Sequence, residues 1–205
     1  MNPRPLPLLA LAGVGILALA GCSAPEQPAA DAAVSIVAST IVYGDIAARV
    51  AGDAATVTSI ITNSAQDPHS YEASAQDQLA ISKADIVIEN GGGYDPFIDT
   101  LLEASASAAV VISASETSGL MPEEGDDHEG EEDHAEEGDD HDHAHIEGFN
   151  EHVWYDVHAM EALAEVLAAE LSELDPANAD TFAANAEAFA ADLASVLEEP
   201  ALLLD

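Results

Sequence analysis

Short β-branched apolar runs alternate with segments of helical periodicity along most of the sequence, and this alternation constrains the fold more than any other feature. Four strands are predicted, at residues 34–39, 55–61, 85–89 and 109–113. Helices are predicted at residues 41–50, 74–83, 95–104, 160–174 and 177–198. Strands separated by helices of this length form a parallel sheet with helices on both faces. The predicted fold class is therefore α/β, with a parallel sheet flanked by helices and followed by a long helix.

The first 21 residues have the composition of an export signal. Arg4 precedes an apolar stretch at residues 6–19 that is too short to span a membrane as a helix. The stretch ends in LAGC, where small residues precede the only cysteine, Cys22, as lipoprotein signal peptidase requires. Lipidation of Cys22 explains an exported cysteine that has no partner for a disulfide, although an ordinary signal peptide remains the alternative. We predict an exported protein anchored by Cys22 to the outer face of the cell membrane or the periplasmic side.

The chain is strongly acidic. Its 40 Asp and Glu residues outnumber 3 Lys and Arg residues, and the formal net charge is −37 at pH 7. After the signal only Arg49 and Lys83 remain as strong bases, so the mature chain repels phosphate backbones and anionic head groups. This charge argues against nucleic-acid binding. It is compatible with cation capture, but an acid-rich surface is also general in salt-adapted proteomes.

A run of three glycines, Gly91 to Gly93, follows the third predicted strand. It has neither the GxGxxG spacing of a dinucleotide site nor the lysine of a phosphate-binding loop. We therefore predict a turn at the sheet edge rather than a nucleotide site.

The segment at 123–147 combines histidines with many Asp, Glu and Gly residues. Five of the eight histidines of the chain fall in it: His128, His134, His141, His143 and His145. This composition buries too little apolar surface to fold alone, which predicts a mobile loop. Imidazoles suit zinc, copper and nickel, and carboxylates raise the local cation concentration. The segment is predicted to be a low-affinity metal collector; the simpler alternative is a solvated acidic linker.

Two further histidines lie where a preorganised site needs them. His69 follows the second predicted strand, at the carboxyl end of the sheet, where open α/β folds place their ligands. His152 follows the acidic segment. His158, six residues later, is predicted to be a helix-start residue rather than a ligand. Trp154 and Tyr155 are predicted to be core residues, with shielding of the site as the alternative.

At these residues the sequence resembles the ZnuA-like, or cluster A-I, metal-binding lipoproteins of ABC importers for zinc and manganese. The motifs that carry the resemblance are DPHSYE at 67–72, Gly52-Asp53, KADIVIENGGGYDPF at 83–97, the His/acid loop and NEHVWYD at 150–156. In that family a long rigid helix joins two lobes, and the metal lies between them. The resemblance implies that His69 and His152 are the metal ligands of the first lobe.

The resemblance also implies a domain layout: a signal peptide at 1–21, a tether at 22–33, a metal-binding lobe at 34–175 and the start of an inter-lobe helix at 176–205. Members of the family have roughly three hundred residues, whereas this chain stops at residue 205. We therefore expect it to lack the second lobe and the ligands that lobe supplies.

The function implied by the resemblance is capture of zinc, less readily manganese, and delivery to the membrane permease of an ABC importer, with no catalytic step. A surface zinc buffer acting mainly through the His-rich loop is the alternative. A zinc hydrolase is a third hypothesis, in which Glu72 or Glu151 would act as base. The sequence has no HExxH or comparable helical histidine pair, which argues against it.

Overall fold

The computed structural model describes residues 34–122, 146 and 148–202, with side chains as far as residue 197. Within these residues four parallel strands form one sheet in the order β2-β1-β3-β4. The strands are β1 Val34–Thr40, β2 Ala55–Ile61, β3 Ile86–Glu89 and β4 Val110–Ser113. The predicted parallel sheet is confirmed.

The described α-helices are α1 Ile41–Ala51, α2 Ala75–Ile81, α3 Phe97–Ser105, α4 Ala114–Thr117, α5 Val157–Leu174 and α6 Ala179–Leu202. Helix α4 was not predicted from the sequence. Helix α5 begins three residues before its predicted start, because Asp156 accepts hydrogen bonds from the backbone N–H groups of His158 and Ala159 and so caps the helix. No described helix combines the length and apolar character needed to cross a bilayer.

Helices cover both faces of the sheet, as predicted. Alternate residues of β1 enter different cores: Ile36 packs in the core beneath α1, α5 and α6, and Val37 in the smaller core beneath α2 and α3. The same alternation occurs in β3, where Ile86 and Val87 divide between the two cores. Because β1 and β3 are buried on both faces, their sequences are mostly apolar.

The first half of α6 belongs to the larger core. Phe182, Ala186 and Phe189 are buried there, whereas Val196 and Leu197 near its end are 59% and 52% exposed. The boundary after residue 175 between lobe and inter-lobe helix stays a prediction.

The strand order creates a crevice at the carboxyl edge of the sheet. From β1 the chain moves to β2 on one side, and from β2 it returns past β1 to β3 on the other side. Connections that leave adjacent strands in opposite directions open a crevice, which is the usual ligand site of an open α/β sheet.

Candidate metal centre

The turn after β3 is the base of the candidate site. Asp95, only 2% exposed, accepts hydrogen bonds from the backbone N–H groups of Asn90 and Gly91 at 2.7 and 2.9 Å. Burial raises the pKa of Asp95, and these two donors partly offset that effect. The carboxyl group thereby holds residues 90–95 in a closed turn, which confirms that the glycine run is a turn.

Gly92 is required inside this turn. Its φ is +62°, and an added Cβ would lie 2.5 Å from Phe149 Cε1 and 2.9 Å from Ser115 Oγ. Both the left-handed backbone and the close approach of Phe149 exclude a side chain. The turn can therefore approach the segment that carries His152.

His69 lies in a 3-10 turn, Pro68–Ser70, after β2. Asp67 precedes the turn and accepts a hydrogen bond from the backbone N–H of His69 at 3.1 Å and from the Ser70 hydroxyl at 3.1 Å. The imidazole Nδ1 lies 3.2 Å from the carbonyl oxygen of Gly93. A carbonyl accepts only, so Nδ1 carries the proton and Nε2 is the nitrogen available for a metal.

His152 is oriented by its own loop. Asn150 Oδ1 accepts from the backbone N–H of His152 at 3.2 Å and lies 2.9 Å from its Nδ1. With the amide oxygen as acceptor, Nδ1 is again the protonated nitrogen, and Nε2 is the one that would bind a metal. Both histidines predicted as ligands thus present Nε2 by the same arrangement.

Asn90 connects the His152 segment to the sheet. Its side chain is fully buried; Nδ2 donates to the carbonyl oxygen of Glu151 at 3.0 Å, and Oδ1 accepts from the Tyr43 hydroxyl. A residue 61 positions away in sequence is thereby fixed against the end of β3.

The ring of Tyr94 stands between the two histidines. Its centroid lies 5.0 Å from that of His69 and 5.8 Å from that of His152, both edge-on. Trp154 packs against Tyr94 at 4.7 Å and against His152 at 5.0 Å. The structure therefore brings His69 and His152 to one aromatic cluster at the sheet edge.

Glu151 also faces His69. Its carboxylate Oε1 lies 3.3 Å from His69 Nε2, and the two side chains are 10% and 20% exposed. In the part of the chain that the structure describes, no three His, Cys, Asp or Glu side chains lie close enough together to hold a metal ion. Two imidazoles and a carboxylate are a donor set that suits zinc, but His152 has to move for all three to meet.

An acidic cavity of about 460 Å³ lies on another side of the glycine turn. Glu89, Asp95, Asp99 and Glu116 line it. Burial first, and then the three neighbouring carboxylates, raise the pKa of Glu89 to about 8. With this pKa, Glu89 is mostly protonated at pH 7 and adds little negative charge to the cavity.

The aromatic prediction needs a correction. Tyr155 is 81% exposed and is not a core residue. The 3-10 turn Val153–Tyr155 buries Val153 and leaves Trp154 half-buried, because neighbouring side chains of such a turn point in different directions. His158 lies in the first turn of α5, with Nδ1 3.2 Å from Glu161 Oε2, as its prediction as a helix-start residue requires.

The remaining predicted residues lie outside the part that the structure describes. They are the lipidation residue Cys22 and the five histidines of the acidic segment, His128, His134, His141, His143 and His145. Their roles stay predictions. Asn90 and Tyr94 were not predicted as parts of the site, and Glu151 was named only as a base in the hydrolase hypothesis; the available signal for Glu151 was that it directly precedes His152.

Comparison with known proteins finds a protein family whose model matches most of this chain. The family model "Zinc-uptake complex component A periplasmic" matches residues 36–201. The manganese-binding lipoprotein MntA of Halalkalibacterium halodurans is 30% identical over 184 residues, which cover 89% of this chain and 54% of the relative. The zinc-binding lipoprotein AdcA of Streptococcus pneumoniae is 32% identical over 189 residues, 92% of this chain and 36% of the relative.

Solved structures of relatives have a similar fold. Zn(II)-bound AdcA of Streptococcus pneumoniae superposes with a TM-score of 0.60 at 26% identity, over 79% of this chain and 31% of that chain. The chain thus spans between a third and somewhat over half of the length of the curated relatives described above.

Proposed function

The chain belongs to the ZnuA family, and from this membership we propose that it captures zinc outside the cytoplasm and delivers it to an ABC-type importer. The single observation that supports this most directly is the pair of histidines at the ring of Tyr94. In both, an oxygen acceptor holds Nδ1 and thereby directs Nε2 to the metal.

The ion is the substrate, and the protein's work is binding. The rigid turn of residues 90–95 holds His69 in place through Gly93, and Asn90 holds the backbone beside His152. The acidic surface raises the local concentration of cations. The ion leaves when the loaded protein docks on the permease, so no bond of a substrate is made or broken.

Zinc is proposed over manganese because imidazole is the softer donor and manganese favours carboxylate and water. The relatives include proteins named for either metal. Lipidation at Cys22 and attachment outside the membrane are part of the proposal, since both relatives are named lipoproteins.

A surface zinc buffer is the second candidate, and the five histidines between residues 123 and 147 favour it. The two functions differ in where the tight site lies. A calorimetric zinc titration of the mature chain should be run with those five histidines changed to asparagine, which keeps the length and removes their imidazoles.

In this background, His69→Ala and His152→Ala should each weaken zinc binding by about 100-fold or more, because metal-site partners beyond the ligands already contribute about 10- to 100-fold. His158→Ala is the matched control, since its imidazole is exposed and lies on α5. Equal affinities for the His69 and His158 variants, or no binding once the five histidines are gone, would reject the receptor function in favour of the buffer.

A further inference from the structure

Glu151 differs from an ordinary acidic surface residue in where its carboxylate points. Only 10% of the side chain is exposed, whereas most other acidic residues in the part of the chain that the structure describes are exposed. Removing a carboxylate from water is costly unless a cation or a donor compensates for it. The group opposite is the imidazole Nε2 of His69, at 3.3 Å.

The backbone at Glu151 is fixed, so this contact is not the result of a loose loop. Its carbonyl oxygen accepts from Asn90 Nδ2 at 3.0 Å and from the backbone N–H of Val153 at 2.8 Å. His69 is held on its other side by Gly93. Both members of the pair therefore have preset positions at the crevice.

The separation of the pair matches one edge of a zinc coordination shell. Donors bound to one zinc ion at about 2.0 to 2.2 Å and at a tetrahedral angle lie about 3.3 to 3.5 Å apart. His69 Nε2 and Glu151 Oε1 are 3.3 Å apart. With Nδ1 of His69 donating to Gly93, loss of any proton from Nε2 would leave the imidazole and the carboxylate as two electron-pair donors at this separation.

We infer that Glu151 is itself a metal ligand. Glu151 and His69 bind the ion first, and His152 then moves to bind the same ion. The inference rests on the proposed function, because it assigns a further donor to the same site. It makes the donor set of this lobe two nitrogens and one oxygen instead of two nitrogens alone. An anionic oxygen donor is the type that manganese favours, so Glu151 also sets how strongly the site prefers zinc.

The test uses the mature chain with the five histidines of residues 123–147 changed to asparagine. Glu151→Gln keeps the size of the side chain and removes the anionic donor, and Glu72→Gln is the matched control, an exposed glutamate in the His69 motif. Zinc and manganese affinities are measured by calorimetry, and the d–d absorption of bound Co²⁺ reports the coordination shell independently of affinity.

We expect Glu151→Gln to weaken zinc binding by at least about tenfold, to weaken manganese binding more than zinc binding, and to shift the Co²⁺ spectrum, while Glu72→Gln changes none of them. Unchanged affinity and spectrum in Glu151→Gln, with loss of binding in His69→Ala, would overturn the inference and leave the proposed function intact. Tighter zinc binding in Glu151→Gln would also overturn it, because Glu151 would then compete with the metal for His69.

Glu151→Asp covers the case in which the glutamine variant does not fold, as judged by far-ultraviolet circular dichroism. Asp keeps the charge but withdraws the carboxylate by one methylene group, so it should alter the Co²⁺ spectrum with a smaller loss of affinity. An Asp variant with the parent spectrum and affinity would reject ligation by Glu151.

Discussion

The two histidine segments meet at Tyr94 but are held in different ways. His69 is oriented from outside its own segment, by the carbonyl oxygen of Gly93, and its side chain is 20% exposed. His152 is exposed, and its imidazole is oriented by Asn150 of the same loop. The imidazole hydrogen bond of His69 to Gly93 is therefore a tertiary contact, and that of His152 to Asn150 is a local one.

This difference predicts how each donor responds to change. The His69 imidazole loses its orientation only when a distant segment moves, whereas the His152 imidazole loses it when the local hydrogen bond to Asn150 breaks. His69 should behave as the permanent side of the site, and His152 as the side that adjusts to the ion. The experiments below are ordered from the largest expected effect to the smallest.

Asn90→Ala should give the largest effect, because the buried Asn90 side chain donates to the backbone carbonyl of Glu151, next to His152. The change deprives the buried Tyr43 hydroxyl of its acceptor and removes the donor to Glu151, so we expect a loss of about 2–4 kcal/mol of unfolding free energy. Hydrogen exchange should accelerate at residues 150–156 more than at 67–71.

Asn185→Ala is the control, since it removes one amide-to-carbonyl bond, to Val50, far from the site. It should cost about 1 kcal/mol and leave exchange at both segments unchanged. Equal acceleration at both segments in Asn90→Ala would contradict the contrast drawn between them.

Gly92→Ala disturbs the turn that carries Gly93 and packs against Phe149, so it acts on both histidine segments. The added Cβ would meet Phe149 and Ser115 at a positive φ, and we expect a loss of about 2–3 kcal/mol in chemical denaturation. Gly119→Ala has a similar φ of +67° with nothing within 4 Å, so it isolates the backbone cost, about 1 kcal/mol. Similar losses in the two variants would show that close packing of the turn does not matter.

Asn150→Ala should affect metal binding more than stability. It removes the acceptor that orients His152 Nδ1, which predicts about tenfold weaker zinc binding and a stability change within about 1 kcal/mol. Asn63→Ala removes a similar acceptor, for the N–H of Ala65, from an exposed turn without a histidine, and should leave zinc binding unchanged. Full zinc affinity in Asn150→Ala would mean that His152 needs no local orientation.

Glu89→Gln should give the smallest effect at pH 5, where the folded parent holds its proton, and a larger effect as pH rises. Burial and nearby carboxylates raise the pKa of Glu89 from 4.5 to about 8, so the folded state holds its proton more firmly than the unfolded state. This stabilisation is fully present below pH 4.5 and is lost as pH rises through 8. Glutamine stays neutral, so the variant should gain in melting temperature relative to the parent as pH rises from 5 to 9.

Glu103→Gln, on the exposed side of α3, is the control and should show no such trend. A pH-independent difference between Glu89→Gln and the parent would contradict the raised pKa. Because Glu89 lies beside the turn that holds His69, the same series tests whether high pH loosens the permanent side of the site first.

Much of the fold follows from sequence pattern. The β-branched runs predicted all four strands to within a few residues, because β-branched residues favour strands. Helix ends were less accurate: α3 begins at Phe97 rather than 95, since Asp95 turns inward to hold the glycine turn. A carboxylate with that role is indistinguishable in sequence from an N-terminal helix residue.

The sequence pointed to the two histidines but not to the residues that support them, and metal binding by either histidine stays a prediction. His69 and His152 stand in motifs that mark them, but the contact of Glu151 with His69 spans 82 positions and depends on the register of β1, β2 and β3. Asn90 resembles any polar residue after a strand, and only its full burial shows its role. The exposure of Tyr155 depends on the 3-10 turn, which no residue pattern in VWY specifies.

Both histidine segments attach to the same few residues after β3: His69 to Gly93 and the His152 segment to Asn90. Neither attachment passes through the chain between Pro122 and Gly148. The number of residues inserted there can therefore grow or shrink over evolutionary time without displacing the site. A lineage facing scarce metal can lengthen that stretch and add histidines one by one, with no compensating change elsewhere in the sequence.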